Sequence, residues 1–277
     1  MYKKERVFIA TRHKKEQVIA PIFQQVFDAR PFVSSFINTD QFGTFTREII
    51  RKDDPITTLR RKCEYGYKTS GCPLVVASEG SFGSHPSMPF VNANEEVVMF
   101  KDFNENIEVI GKYLSTDTNL YESEVSSIIE LEKALSEIKF PDHGILIRDK
   151  EENEVILKGV FDHEQVIRFV SASLKTGQKL EVSSDMRAVY NPTRMLNIEK
   201  ATQALVQNMQ SKCPQCEAPG FIVSDQKPGL PCSNCGMPTR SIKTAIKKCQ
   251  KCEYESSIDF PNKKEKEDPM YCDFCNP

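Results

Sequence analysis

Four C-x-x-C pairs crowd the end of the chain: Cys213/Cys216, Cys232/Cys235, Cys249/Cys252 and Cys272/Cys275. They hold eight of its ten cysteines, so the sulfur chemistry is concentrated in one tail. A C-x-x-C turn brings two thiolates to one ion while backbone N–H groups point at the sulfurs. Two such turns build a tetrahedral four-thiolate site, which suits zinc and leaves no position for water or substrate. Two structural Zn²⁺ ions are therefore expected. Fifteen residues separate the first two pairs and nineteen the last two, spacings of the zinc-ribbon kind. Pairing in sequence order is expected, Cys213, Cys216, Cys232 and Cys235 on one ion and Cys249, Cys252, Cys272 and Cys275 on the other. An interleaved cross-brace is the alternative.

A second kind of chemistry is suggested by carboxylates, cations and aromatic rings at the ends of expected strands. Ligands of open α/β sheets bind beyond the carboxyl ends of the strands. Thr11-Arg12-His13-Lys14-Lys15-Glu16 follows the first strand; Thr11, His13 and Lys15 beside a helix start would hold a phosphate, or simply cap that helix. Asp40-Gln41-Phe42-Gly43-Thr44-Phe45 offers Phe42 and Phe45 to flank a planar ring, or to fill the core. Glu79 ends the apolar run Val75-Val76-Ala77 and precedes a Gly/Ser-rich stretch with His85. Asp185-Met186-Arg187 and Asn191-Pro192-Thr193-Arg194 bring two arginines able to grip a polyphosphate, or a capped helix with an Asp–Arg pair.

The elements that must position these groups alternate. Val7–Ala10 reads as a buried strand. Residues 14–27 read as an amphipathic helix that Pro21 should bend or shorten. Residues 32–37 read as a strand, 55–69 as a helix and 74–77 as a strand ending at Glu79. Residues 80–90 read as a flexible loop, and 96–103 with 107–114 as a hairpin across Asn104-Glu105-Asn106. Residues 122–138 read as a helix with Ile128, Leu131, Leu135 and Ile138 on its inward stripe. Strands at 145–147, 155–160 and 179–182 and helices at 162–174 and 192–209 complete an α/β domain, a mixed sheet covered by helices on both faces. The expected division is 1–208 for this domain and 209–277 for a double zinc-ribbon domain.

Bulk properties narrow the partners. Net charge is −2 over 277 residues, which gives no general pull toward nucleic acid or anionic membrane. Residues 211–277 carry ten Lys/Arg and nine Asp/Glu; two Zn²⁺ with eight thiolates take that balance to about −3, which disfavours nucleic acid. Lys243, Lys247, Lys248 and Lys251 come nearest to a basic patch, the first three sharing a face if helical. No apolar run approaches the roughly 20 residues of a membrane span, and the first residues do not read as a signal peptide. A cytoplasmic protein with reduced thiols is expected.

The clusters Thr11-x-His13-x-Lys15-Glu16-Gln17, Asp40-x-Phe42-Gly43-Thr44-Phe45, Ala77-Ser78-Glu79-Gly80-Ser81-Phe82-Gly83 and Asp185-Met186-Arg187-Ala188-x-x-Asn191-Pro192-Thr193-Arg194, with the paired ribbons, resemble an uncharacterised bacterial family, a domain of unknown function, over nearly the whole chain. That resemblance implies no known activity. The order of clusters in residues 6–83 is also similar to the house-cleaning pyrophosphatases that hydrolyse inosine and xanthosine triphosphates. His13 stands where those enzymes have asparagine, the lysine comes one residue early, and Glu79 stands alone where some have two acids. This second resemblance implies Mg²⁺ held by Glu79 with Glu16 or Asp40, phosphate charge met by Lys15, Arg187 and Arg194, and a base stacked on Phe42 or Phe45. It also implies a closing loop at 80–90.

Three readings stay open: a Mg²⁺-dependent nucleoside triphosphate pyrophosphatase, a nucleotide- or phosphate-sensing adaptor that does not cleave its ligand, and a nucleic-acid-binding zinc-ribbon protein. In the first two the zinc tail serves a protein partner or a homodimer.

Overall fold

The computed structural model describes residues 2–43 and 53–277, and the chain divides into two units. The first is Met1–Asp102 with Ile110–Val206; the second is Phe103–Val109 with Gln207–Pro277. Phe45, Thr44 and the residues up to Lys52 lie outside the described residues.

The first unit begins with β1 (Arg6–Ala10), α1 (Glu16–Phe27), β2 (Arg30–Phe32), α2 (Pro55–Ser70), β3 (Leu74–His85), β4 (Met88–Asp102) and β5 (Ile107–Ser115). Their strands form one mixed sheet in the order β2-β1-β3-β4-β5. β1 pairs in parallel with both β2 and β3, and β3 pairs antiparallel with β4. The crossovers β1–α1–β2 and β2–α2–β3 travel in opposite directions across this sheet. Right-handed connections therefore place α1 and α2 on opposite faces. Burial agrees: Val7–Ala10 and Leu74–Glu79 are buried at every position, as strands covered on both faces must be.

The other elements are β6 (Glu122–Val125), α3 (Ile128–Ile138), β7 (Ile145–Asp149), β8 (Glu154–Val160), α4 (His163–Lys175), β9 (Leu180–Ser184) and α5 (Pro192–Gln210). Their strands make a second, antiparallel sheet in the order β6-β9-β7-β8. Leu131, Leu135 and Ile138 of the expected α3 stripe join Val166, Val170, Ile145, Ile147 and Val182 in its core. Caps set the helix starts. Asp54 accepts from the N–H groups of Ile56 and Thr57 (2.9 and 3.1 Å) ahead of Pro55. Ser127 accepts from Glu130 N while the Glu130 carboxylate accepts from Ser126 N, a reciprocal arrangement close to a capping box.

Several sequence expectations give way here. Residues 80–90 are not a loop: β3 and β4 form one long hairpin, paired from Leu74–Asp102 out to Gly83–Ala93. Residues 122–125 are strand β6, and α3 starts only after the Ser127 cap. The strand expected at 32–37 is the shorter β2, followed by a single 3-10 turn at Thr39–Phe42. α1 runs on through Pro21.

The second unit holds β10 (Val223–Pro228), β11 (Ile242–Lys248) and β12 (Glu255–Asp259), an antiparallel meander in that order. Lys243, Lys247 and Lys248 lie on β11 and not on a helix. Alternation along a strand puts Lys248 on the face opposite Lys247, and a register shift falls at Lys243, so the three do not share a face. Among the described residues no helix is long and apolar enough to cross a membrane.

In the first unit one glycine sets a close approach. A Cβ on Gly111 of β5 would sit 2.2 Å from Leu205 N and 2.4 Å from Ala201 O. Both are α5 backbone atoms, which cannot rotate aside, so strand and helix pack here backbone to backbone. We expect Gly111→Ala to cost about 3 kcal/mol or more of stability by overpacking, read as a lowered urea midpoint. An unchanged midpoint would contradict that packing.

Candidate functional site

The sheet order places a topological switch point between β1 and β3, because the chain leaves β1 toward β2 and returns on the other side as β3. Clefts in open α/β sheets form at the carboxyl ends of such strands. The cleft found there measures about 650 Å³, counting the space open to solvent. Thr11, Arg12, His13 and Lys15 enter from the β1–α1 turn, Ser78 and Glu79 from β3, Lys62 from α2, Thr39 and Asp40 from the 3-10 turn. Lys158 of β8, Arg187 and Arg194 of α5 complete the wall.

The β1–α1 turn has a left-handed backbone at two successive residues. His13 and Lys14 adopt left-handed φ of 63° and 59°, and Lys15 is right-handed. The first helical hydrogen bonds are Gln17 N to Lys14 O and Ile19 N to Lys15 O, so the N–H groups before them precede the ladder. Such turns and helix starts present N–H groups to anions.

Charge is fixed by buried ion pairs. Arg194, with its side chain 1% exposed, donates from Nε to Glu96 Oε1 at 2.7 Å, and Glu96 is fully buried. The same guanidinium donates to Met186 O and lies 5.5 Å from the Phe82 ring centre. A Cβ at position 80 would meet Glu96 Oε1 at 2.3 Å and Arg194 Nη2 at 2.7 Å. Glycine after Glu79 is thus the gap through which the pair forms. Lys62 is ion-paired with Glu79, both buried, and also donates to Ser78 O. Arg187 takes the buried Asp185 carboxylate with Nε and Nη2 (3.0 and 2.5 Å) and stacks on Tyr190. Asp40 accepts from Arg12 at 2.8 Å and lies 3.1 Å from His13. The hydrogen bond from His13, then the His13 and Arg12 charges, hold its carboxyl below the usual range. Lys15 is buried and donates to Ser78 Oγ at 3.1 Å. Desolvation first, then the charges of Arg194 and Lys62, lower its ammonium to about 7.

Of the residues singled out in the sequence, Thr11, His13, Lys15, Asp40, Glu79, Arg187 and Arg194 line this one cleft. Glu16 does not; it opens α1. Phe42 packs edge-on to Tyr65, ring centres 5.8 Å apart, and is not in the cleft wall. Asn191 is fully buried and accepts from Arg194 N at 2.9 Å while donating to Asn119, so it caps α5 ahead of Pro192. Phe45 is outside the described residues. Sequence reasoning missed Ser78, Glu96 and Lys158, and it gave Lys62 no role beyond membership of a basic helix. Lys62 sits in the basic run Arg60-Arg61-Lys62, and only burial separates it from its neighbours. Glu96 opens an expected strand directly after Glu95, and nothing beside it in sequence separates the buried acid from its less buried neighbour.

The implied Mg²⁺ does not fit these groups. Glu79 is ion-paired with Lys62 and Asp40 with Arg12, and Glu16 stands off the wall. Among the described residues, groups of three or more metal-ligating side chains are confined to the cysteines.

Those cysteines form two tetrads, Cys213, Cys216, Cys249 and Cys252 in one and Cys232, Cys235, Cys272 and Cys275 in the other. Nearest sulfurs lie 3.5 to 3.8 Å apart. The edge of a tetrahedron with ~2.3 Å Zn–S bonds is about 3.8 Å, so the donor set and its spacing fit zinc. Backbone N–H groups of Gln215, Asn234 and Lys251 each approach the leading sulfur of their turn at 3.4 Å. The N–H groups of Cys235 and Asn234 help lower the Cys232 thiol to about 7. The pairing is interleaved, not sequential. Each strand of the meander carries the chain across the sheet, so successive turns alternate ends: first and third meet at one, second and fourth at the other. We expect two zinc ions per chain. Cys216→Ser with Cys252→Ser should lose one ion, whereas Cys216→Ser with Cys235→Ser should compromise both. The reverse pattern by metal analysis would restore sequential pairing.

No curated protein matches the chain. A family model matches residues 62–277, which include Lys62, Glu79, Glu96, Arg187, Arg194 and both tetrads. The chain belongs to that family, the domain of unknown function DUF6671.

Proposed function

We propose that the α/β unit binds a phosphate-bearing ligand in the cleft between β1 and β3 and does not need a divalent ion to do so. One observation carries this reading: of the six Lys/Arg in the wall four meet carboxylates, Arg12 with Asp40, Lys62 with Glu79, Arg187 with Asp185 and Arg194 with Glu96, whereas the buried Lys15 ammonium meets the Ser78 hydroxyl. A phosphate group supplies the missing negative charge, and the turn before α1 supplies N–H donors beside it. The resemblance to the triphosphate pyrophosphatases favours a nucleotide as the carrier of that phosphate. The ion pairing of Glu79 and Asp40 favours binding over Mg²⁺-dependent hydrolysis. The zinc unit then serves as the module for a protein partner or a second copy. Met270, Tyr271 and Phe274, beside the second tetrad, are 59%, 57% and 68% exposed. Its charge balance speaks against nucleic acid.

The test is titration of the purified protein with pyrophosphate and a panel of standard and deaminated nucleoside triphosphates, with and without Mg²⁺. Binding without Mg²⁺ is expected, weakening as salt screens the exposed cations, with no phosphate released. Lys158→Ala removes an exposed cation from the wall, so it should weaken binding about fivefold and leave thermal stability unchanged. Failure to bind any of these ligands would overturn the reading. Release of phosphate only with Mg²⁺ would replace it with the pyrophosphatase reading.

A further inference from the structure

Lys62 and Arg194 each face a buried carboxylate, Glu79 and Glu96, whereas the contact made by the Lys15 ammonium is to a hydroxyl, Ser78 Oγ at 3.1 Å. The charged groups acting on Lys15 come from every neighbouring element: Glu79 of β3, Lys62 of α2, Glu96 of β4 and Arg194 of α5. His13 and Asp40 form a separate pair on the same wall. Resting on the binding reading above, we propose that the cleft takes up one proton at Lys15 together with its anion.

The physical basis is mutual. Burial and two nearby cations hold Lys15 near a midpoint of about 7. A dianion entering beside it favours the charged ammonium. By linkage, the proton and the anion then strengthen each other's binding equally. The Lys15–Ser78 pair also has the spacing of a base and a nucleophile. In this cleft that role is self-defeating, because an anion entering beside Lys15 returns the proton to it and removes its lone pair. Charge acceptance is the role consistent with the surroundings.

Sulfate is the direct probe, because it stays doubly charged where phosphate esters titrate, near pH 6. Calorimetric titration at about pH 8 in two buffers of different ionisation enthalpy counts the protons. With a midpoint of about 7, close to one proton per sulfate is expected, and affinity should fall about tenfold per pH unit above the midpoint. Lys15→Arg keeps the charge but not the titration: it should bind sulfate with no proton uptake and a flat pH profile. Lys15→Met should bind on the order of tenfold more weakly, again without uptake. His13→Gln should keep the uptake. Uptake that persists in Lys15→Arg, that disappears in His13→Gln, or that is absent from the wild type while sulfate binds would overturn the proposal. No binding of sulfate or pyrophosphate at about pH 6, where Lys15 is charged, would overturn the binding reading itself.

Discussion

The first unit depends on one buried ion pair, Arg194 with Glu96. Taking both charges out of water costs several kcal/mol per ion, and only tight geometry with further hydrogen bonds recovers it. That geometry recruits three parts of the chain: Glu96 on β4, the carbonyl of Met186 after β9, and the Phe82 ring on β3. Gly80 must lack a side chain for the two charges to meet. A single guanidinium thus ties α5 to the β3–β4 hairpin and to the Asp185–Arg187 turn. Those parts bring Glu79 and Arg187 to the cleft.

With this frame fixed, the remaining charges arrange around it. Lys62 balances Glu79, and Arg187 balances Asp185. The sum leaves an excess of positive charge beside the open turn before α1, and Lys15 bears that excess as a depressed ammonium. The second unit is stabilised in another way. Its sheet has few buried apolar residues, β10 being exposed throughout, and its stability rests on the two sulfur tetrads. Zinc binding of about 10–16 kcal/mol per site in small domains is of the size needed.

What the sequence revealed follows from what is local. The α3 stripe, the β4–β5 turn and the eight zinc ligands are all set by residues within a few positions of one another. What stayed hidden was set by distant partners. Gly80, Ser81, Gly83 and Ser84 read as loop because Gly and Ser usually mark one. Here Gly80 serves close packing under Arg194, while strand pairing with β4 fixes the rest. Glu79 read as a strand-end carboxylate open to a metal, because nothing near it in sequence announces Lys62. Cysteine spacing identified ligands without saying which end of a meander each turn occupies.

The central claim is that the Arg194–Glu96 pair shapes the cleft and that its charge then serves the ligand. A double-mutant cycle of Arg194→Met and Glu96→Met, reading unfolding free energy and pyrophosphate affinity together, tests it most directly. Each single variant should lose about 3–5 kcal/mol, because it strands a buried charge. The double variant should recover most of that stability while its pyrophosphate affinity stays lowered at least tenfold. Additive losses of stability, or a stable double variant that binds pyrophosphate as the wild type does, would contradict the account.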